Sequence, residues 1–248
     1  MKAKTIQLTH EEIKIILRAA DSIIAEGGRT LLAKMLKGSR EKKVLELELD
    51  KNPAYGFYKQ EKLEVVMEKI DWMIDHSFLT TEYFGKLPMI VFTERGWLIE
   101  SDQYTDELIH EWEKWISRGK TKPDMNYLKD RNREMILLML QKIRESGNKS
   151  FIPYLTLWKE IEYKKLQAEI SQTIKAIEEQ VPVDEAVIRE RENKVQEALK
   201  GVTPNDYSLK CFECGERFIF PVAEQRFYRQ KGFKLPKRCL ECREKKWE

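Results

Sequence analysis

Cysteine is missing from the first 210 residues of this 248-residue chain, and the four it has stand at positions 211, 214, 239 and 242. A disulfide-stapled fold is thereby excluded for most of its length. Histidine is nearly missing too: His10, His76 and His110 fall in separate expected elements, and none neighbours a cysteine or a serine motif. An imidazole-centred catalytic constellation is therefore not expected. No G-x-x-x-x-G-K-[ST] loop occurs, which excludes a P-loop motor. No stretch approaches the ~20 apolar residues of a membrane span, and "MKAKTIQLTHEE" lacks the apolar centre of a signal peptide. A cytoplasmic protein without membrane association is expected. Charge of one sign is also lacking, with 45 Lys or Arg against 42 Asp or Glu and a net charge of +3. Charge can then matter only where it is clustered. The carboxylates read as ordinary helix-surface charge, so neither enzymatic activity nor a small-molecule substrate is expected.

What is present begins with a well-signalled helix. Thr9 followed by Glu12 forms a capping box, Ile13, Ile16, Leu17, Ala20, Ile23 and Ile24 recur at helical spacing, and Gly27-Gly28 stops the run. A short helix over residues 30–37 is expected to bury Leu31, Leu32, Met35 and Leu36. Another, over residues 61–76, turns Leu63, Val66, Met67, Ile70 and Met73 inward. The period then changes. "FLTTEYFGKLPMIVFTERGW" carries β-branched and aromatic residues on both sides of Gly85-Lys86, the pattern of strand, tight turn and strand. Helices followed by one hairpin give the order of a winged helix, whose hairpin is the wing; a small α+β domain with a covering hairpin is the alternative.

Between these helices lies an uneven charge. Residues 28–44 hold Arg29, Lys34, Lys37, Arg40, Lys42 and Lys43 against the single acid Glu41. Ser39 reads as an N-cap after a stop at Gly38, which places Arg40, Lys42 and Lys43 in the first turn of the next helix. Cations there oppose the macrodipole, at about 0.3–1 kcal/mol each. An external anion compensates most simply, since a helix start offers free N–H groups to phosphate. A merely solvated basic face is the alternative.

Residues 103–206 differ in kind. "GKTKPD" reads as a linker, an amphipathic helix over residues 131–145 carries Met135, Leu138, Met139 and Ile143, and "SGNKS" turns the chain. A long helix is expected over residues 152–180, with Leu155, Trp158, Ile161, Leu166, Ile170, Ile174 and Ile177 on one stripe. Pro182 breaks it, and residues 183–200 continue as a charged helix. Narrow apolar stripes suggest an antiparallel helical hairpin or an arm at residues 131–200 that docks a protein partner. A rigid spacer packed on itself is the other reading.

Cys211/Cys214 and Cys239/Cys242 are two CxxC pairs separated by 24 residues. Each pair lets two thiolates reach one ion, and together they close a tetrahedral shell with no position left for water, which points to one structural Zn²⁺. Phe218, Phe220, Phe227, Tyr228 and Phe233 supply apolar area around it. Residues 207–248 hold eleven Lys or Arg and six Asp or Glu, a formal +5 that falls to +3 with four thiolates on one zinc ion. Cations such as Arg226, Arg229, Lys231, Lys237, Arg238 and Lys246 among aromatics suit phosphate contact and base stacking.

The stretches "LKGSREKKV", the "YG" turn, the helix ending in "SFL" and the closing "FTERG" resemble, in order, the RQC winged-helix domain that follows the motor in RecQ helicases. The resemblance covers roughly residues 18–100. It implies duplex or branched-DNA binding, with Arg29, Ser39, Arg40, Lys42 and Lys43 gripping phosphates and Tyr83, Phe84 and Lys86 of the wing meeting base pairs; Thr30 and Lys37 beside them are further candidate nucleic-acid contacts. The tail is similar to a small zinc-ribbon family marked by "EQRFY" and "PKRC", and together the two look like the stand-alone RQC proteins called RQC-minor. The expected architecture is mainly α with a small β-hairpin wing: an RQC-like winged helix (residues 1–102), a helical linker or arm (103–206) and a four-cysteine zinc ribbon (207–248). The expected function is non-catalytic nucleic-acid binding, DNA favoured over RNA, with Arg226, Arg229, Lys237 and Arg238 as a second contact. An adaptor that recruits a helicase or nuclease, or an RNA- or ribosome-binding factor, is the alternative. Residues 1–100 carry sixteen charges of each sign. Any affinity must come from how the cations are arranged.

Overall fold

A computed structural model describes residues 6–129 and 131–245. The chain forms two compact units: one takes in the chain up to Gly96 together with the part from Lys200 onward, the other Trp97–Leu199. The first and last expected domains therefore share a unit.

In the first unit, helix α1 (His10–Asp21) opens on the expected capping box. The Glu12 amide donates to Thr9 Oγ1 at 3.2 Å and the Thr9 amide to Glu12 Oε2 at 3.0 Å, so two of the orphan donors of a helix start are satisfied reciprocally. Helix α2 (Arg29–Lys37) buries Leu31, Leu32, Met35 and Leu36 and ends at Gly38 in the left-handed conformation, φ +78°. The next helix, α3 (Lys42–Glu46), starts three residues after the expected Ser39. Helix α4 (Leu63–Asp75) packs on α2 through Val66, Ile70 and Met73.

Strands β1 (Leu79–Phe84) and β2 (Leu87–Phe92) pair antiparallel with Phe84 opposite Leu87. Gly85, at φ +64°, takes the first position of the two-residue loop, where a hairpin of matching twist needs a positive φ. The wing is fixed to the body by backbone bonds: the Ile90 amide donates to the Gly27 carbonyl at 2.9 Å. Gly28, N-cap of α2, lies so close that a β-carbon there would stand 2.5 Å from the Pro88 carbonyl oxygen. Absence of a side chain at residue 28 is what lets the start of α2 lie against the wing.

Helix α5 (Glu94–Ser117) begins at the end of this unit, with Thr93 Oγ1 accepting from the Gly96 amide at 3.1 Å, and gives most of its length to the second. The sequence pattern alone marks no helix here. The second unit continues with α6 (Arg133–Ser146), α7 (Ile152–Ile161), α8 (Lys164–Glu178) and α9 (Glu185–Leu199). Instead of one long helix over residues 152–180 there are two, which pack on each other. At Glu162 the backbone is extended, φ −96° and ψ 163°. Its carboxylate accepts from the Trp158 indole at 2.9 Å and its carbonyl from Gln167 Nε2 at 2.6 Å, so side chains replace the helical partner at the break. Trp158, Leu166, Ile170 and Ile177 are buried in a core with Trp112 and Tyr154, and the two tryptophans meet edge to face at 5.9 Å. The stripe expected to dock a partner is the inside of this unit.

Arg191 of α9 binds Glu145 of α6 through two hydrogen bonds of 2.9 and 2.7 Å. Burial pushes the Glu145 carboxyl up, but hydrogen bonds from Arg191 and Gln141 outweigh it and hold the group below its ordinary value. A depressed carboxyl stabilises fully above its unfolded value, 4.5, and the contribution is lost as pH falls through the lower folded value.

Two expectations follow for thermal denaturation. Glu145→Gln should cost about 1.5–3 kcal/mol near pH 6 and progressively less below pH ~4; an equal loss at both would remove the ion pair from the account. Gly28→Ala should cost about 1–3 kcal/mol by overpacking against Pro88, and a neutral result would mean that the wing yields freely.

Candidate nucleic-acid interface and zinc centre

The tail folds as strands β3 (Tyr207–Lys210) and β4 (Arg217–Phe220), helix α10 (Val222–Lys231) and the short helix α11 (Leu240–Glu244). Cys211 and Cys214 occupy the turn between the strands; Cys239 is the N-cap of α11 and Cys242 lies inside it. The four sulfur atoms lie within 4.8 Å of one another, with Cys214 and Cys239 at 3.9 Å. Tetrahedral Zn²⁺ with bonds of about 2.3 Å places its ligands roughly 3.8 Å apart. The donor set therefore fits one zinc ion.

Electrostatics agree with that assignment. The N–H groups of Cys214 and Cys239 draw the Cys211 thiol down to about 6, whereas the Cys239 thiol's hydrogen bond and burial push Cys242 up to about 12. Four thiols this close cannot all ionise without a cation among them. Zinc supplies that charge, and with four protein ligands its role is structural.

The "EQRFY" motif now has a physical reading. Gln225, buried, donates to the carbonyls of Asn205 and Phe220 at 3.0 and 2.9 Å. Tyr228 packs on Phe220 and Phe233 with ring centroids 5.0 and 5.6 Å apart, and its hydroxyl accepts from Arg243 at 2.7 Å. Glu224 pairs with Arg243 at 3.3 Å. Arg226 leaves the domain altogether.

Arg226 Nε donates to Asp75 Oδ2 at 2.6 Å, and Arg229 donates to the other oxygen of the same carboxylate. Asp75 is the last residue of α4, and its side chain is 4 % exposed. Beside it the Tyr83 hydroxyl of the wing donates to the Arg229 carbonyl at 3.0 Å, and the Tyr83 ring lies 2.8–3.1 Å from where a β-carbon on Gly232 would stand. Helix α10 is thus docked on both the end of α4 and the wing. Sequence reasoning missed Asp75, although a carboxylate at a helix C-terminus opposes the macrodipole just as cations do at a start.

The other candidate contacts divide by what they touch. Arg29 is paired with Asp71, Lys34 with Glu41 at 2.6 Å, and Lys37 donates to the Lys59 carbonyl. Thr30 is exposed. Ser39 is not an N-cap: Glu41 holds that position, and Ser39 Oγ accepts from the Glu41 amide at 3.3 Å, stabilising the turn before the helix. Arg40 accordingly lies outside α3, while Lys42 and Lys43 are its first two residues. Lys42 is 87 % exposed and meets Glu46 at 3.4 Å, an i,i+4 pair worth little in water. Arg40 and Lys43 are exposed and make no ion pair among the described residues. Phe84 and Lys86 are exposed at the wing tip. In the zinc domain, Lys237 is exposed and Arg238 is bound to Glu213, whereas Lys246 lies outside the described residues.

Purified protein should contain one zinc per chain by elemental analysis, and Cys239→Ser should leave less than about a tenth of it. Full-length, zinc-free protein with an unchanged fold would contradict the assignment.

Comparison with known families adds to this geometry. Residues 4–105 match a model described as RQC domain, and residues 205–248 match one described as probable treble clef domain. Neither the curated proteins nor the solved structures contain a match to the chain. No described helix is long and apolar enough to cross a membrane. The two matched families suggest nucleic-acid binding in general. The chain therefore carries an RQC domain near its start and a treble-clef zinc domain at residues 205–248.

Proposed function

We propose that this protein binds duplex or branched DNA without catalysing a reaction on it, using the RQC winged helix as main contact and the zinc domain as a second. The observation that carries this reading is the state of Arg40, Lys42 and Lys43. Among the described residues only Lys42 meets an acid, across an exposed pair, and the one acid in their own stretch, Glu41, is held by Lys34. All three side chains are exposed, and a phosphate is the group complementary to them.

The non-catalytic part rests on the sequence. It has no P-loop to drive a motor, and its three histidines lie on separate elements. The wing supports binding more than strand separation, because Tyr83 is engaged by α10 and leaves Phe84 and Lys86 to meet a duplex. A protein partner for residues 131–200 has lost its apolar stripe to the core of the second unit.

Fluorescence anisotropy with duplex, forked and single-stranded DNA and with structured RNA tests the reading. Duplex or forked DNA should bind best, with affinity falling steeply between 50 and 200 mM salt. Arg40→Ala with Lys42→Ala should weaken binding and lower the salt slope by about 0.9 for each phosphate no longer neutralised, while stability changes by no more than about 0.5 kcal/mol. Preference for RNA would redirect the function, and absence of salt-sensitive binding to every ligand would overturn it.

A further inference from the structure

The docking of α10 leaves a cleft of about 590 Å³ between the zinc domain and the winged helix, walled by the start of α2, by α3, by the wing and by α10. We infer that this cleft is one composite site for a sugar–phosphate backbone, built by both domains and closed on its second side only while α10 is docked. The inference rests on the nucleic-acid reading above and deepens it.

The cleft carries more cations than acids. Three acids line it, and each is already matched: Asp71 by Arg29, Glu41 by Lys34, and Asp75 by Arg226 and Arg229 together. Two guanidinium groups on one carboxylate leave an excess positive charge. Lys43 from α3 and Lys231 from the end of α10 line the cleft from its two domains, and neither forms an ion pair among the described residues. Lys231 is instead poised over the Phe227 ring, 5.9 Å from its centre. The cleft therefore keeps a net positive charge that no lining residue neutralises.

The backbone adds to this charge. Helix α2 starts at the cleft with glycine as N-cap, no side chain capping it and no acid in its first turn. Its leading N–H groups add a positive dipole end to the lysines. Among the described residues the cleft presents no free surface for bases. Tyr83 is the only aromatic residue lining the cleft among the described residues, and its ring is packed against Gly232. Without a stacking platform or a clustered set of amide side chains, the site holds a backbone and reads no sequence. A strand seated there touches both domains at once.

The test uses full-length, zinc-loaded protein, anisotropy with a labelled forked duplex at several salt concentrations, and the variants Lys43→Ala, Lys231→Ala and Asp75→Asn. Lys43→Ala and Lys231→Ala should each lower affinity several-fold and reduce the salt slope by about 0.9. In an Asp75→Asn background, where α10 is released, Lys231→Ala should have little further effect. Zinc content and circular dichroism check that Asp75→Asn remains folded, and Lys231→Ala, on an exposed side chain, stands as a test without it. Wild-type binding that Lys231→Ala leaves unchanged would overturn the composite site while the function stands. An equal effect of Lys231→Ala in both backgrounds would make the zinc domain an independent contact and also overturn it. Inorganic phosphate or ATP binding as tightly as the forked duplex would assign the cleft to a small anion instead. Absence of wild-type binding to any nucleic acid would remove the function itself.

Discussion

One buried carboxylate ties the zinc domain to the winged helix within the first unit. Asp75 ends a helix, where the macrodipole is negative, and its side chain is almost wholly removed from water. Alone it would be among the least favourable groups in the molecule. Two guanidinium groups from a segment 150 residues later in the sequence reverse this, one on each oxygen. Removing one partner of a fully buried pair costs about 3–5 kcal/mol. Because Arg226 and Arg229 are 52 % and 37 % exposed, the balance here is nearer about 1–3 kcal/mol.

That bridge makes the metal matter beyond its own domain. Some forty residues cannot bury enough apolar surface to fold unaided, so zinc binding is folding energy for the tail. When the tail is folded, α10 presents Arg226 and Arg229 on one face and the Arg229 carbonyl to Tyr83 of the wing. Loss of zinc removes that helix, leaves Asp75 without its partners and releases the wing on one side. The linker still meets the winged helix, where the Val202 amide donates to the His76 carbonyl at 3.0 Å. Metal, wing and cationic cleft are thus consecutive parts of one arrangement.

Local rules made the separate pieces legible in the sequence and hid how they meet. The Thr9–Glu12 box, the glycine in the wing turn and the two CxxC pairs are short-range devices, and each appears in the structure where its spacing places it. The start of α3 differs from expectation because the Ser39 hydroxyl closes a local turn and does not cap the helix, which starts without a side-chain cap. Glu41 takes the N-cap position, and Ser39 turns its hydroxyl to the Glu41 amide. The break at Glu162 carries neither glycine nor proline. It is made by the Trp158 indole and Gln167, partners that only a folded neighbourhood reveals. Arg226 and Arg229 read as phosphate contacts because their acid lies 150 residues away.

Residual dipolar couplings on zinc-loaded protein test the Asp75 bridge most directly. Amides of α4, the wing and α10 should fit a single alignment tensor, and Asp75→Asn should split α10 from the other two while the zinc content stays at one per chain. Separate tensors in the wild type, or a single tensor that survives the substitution, would contradict the account.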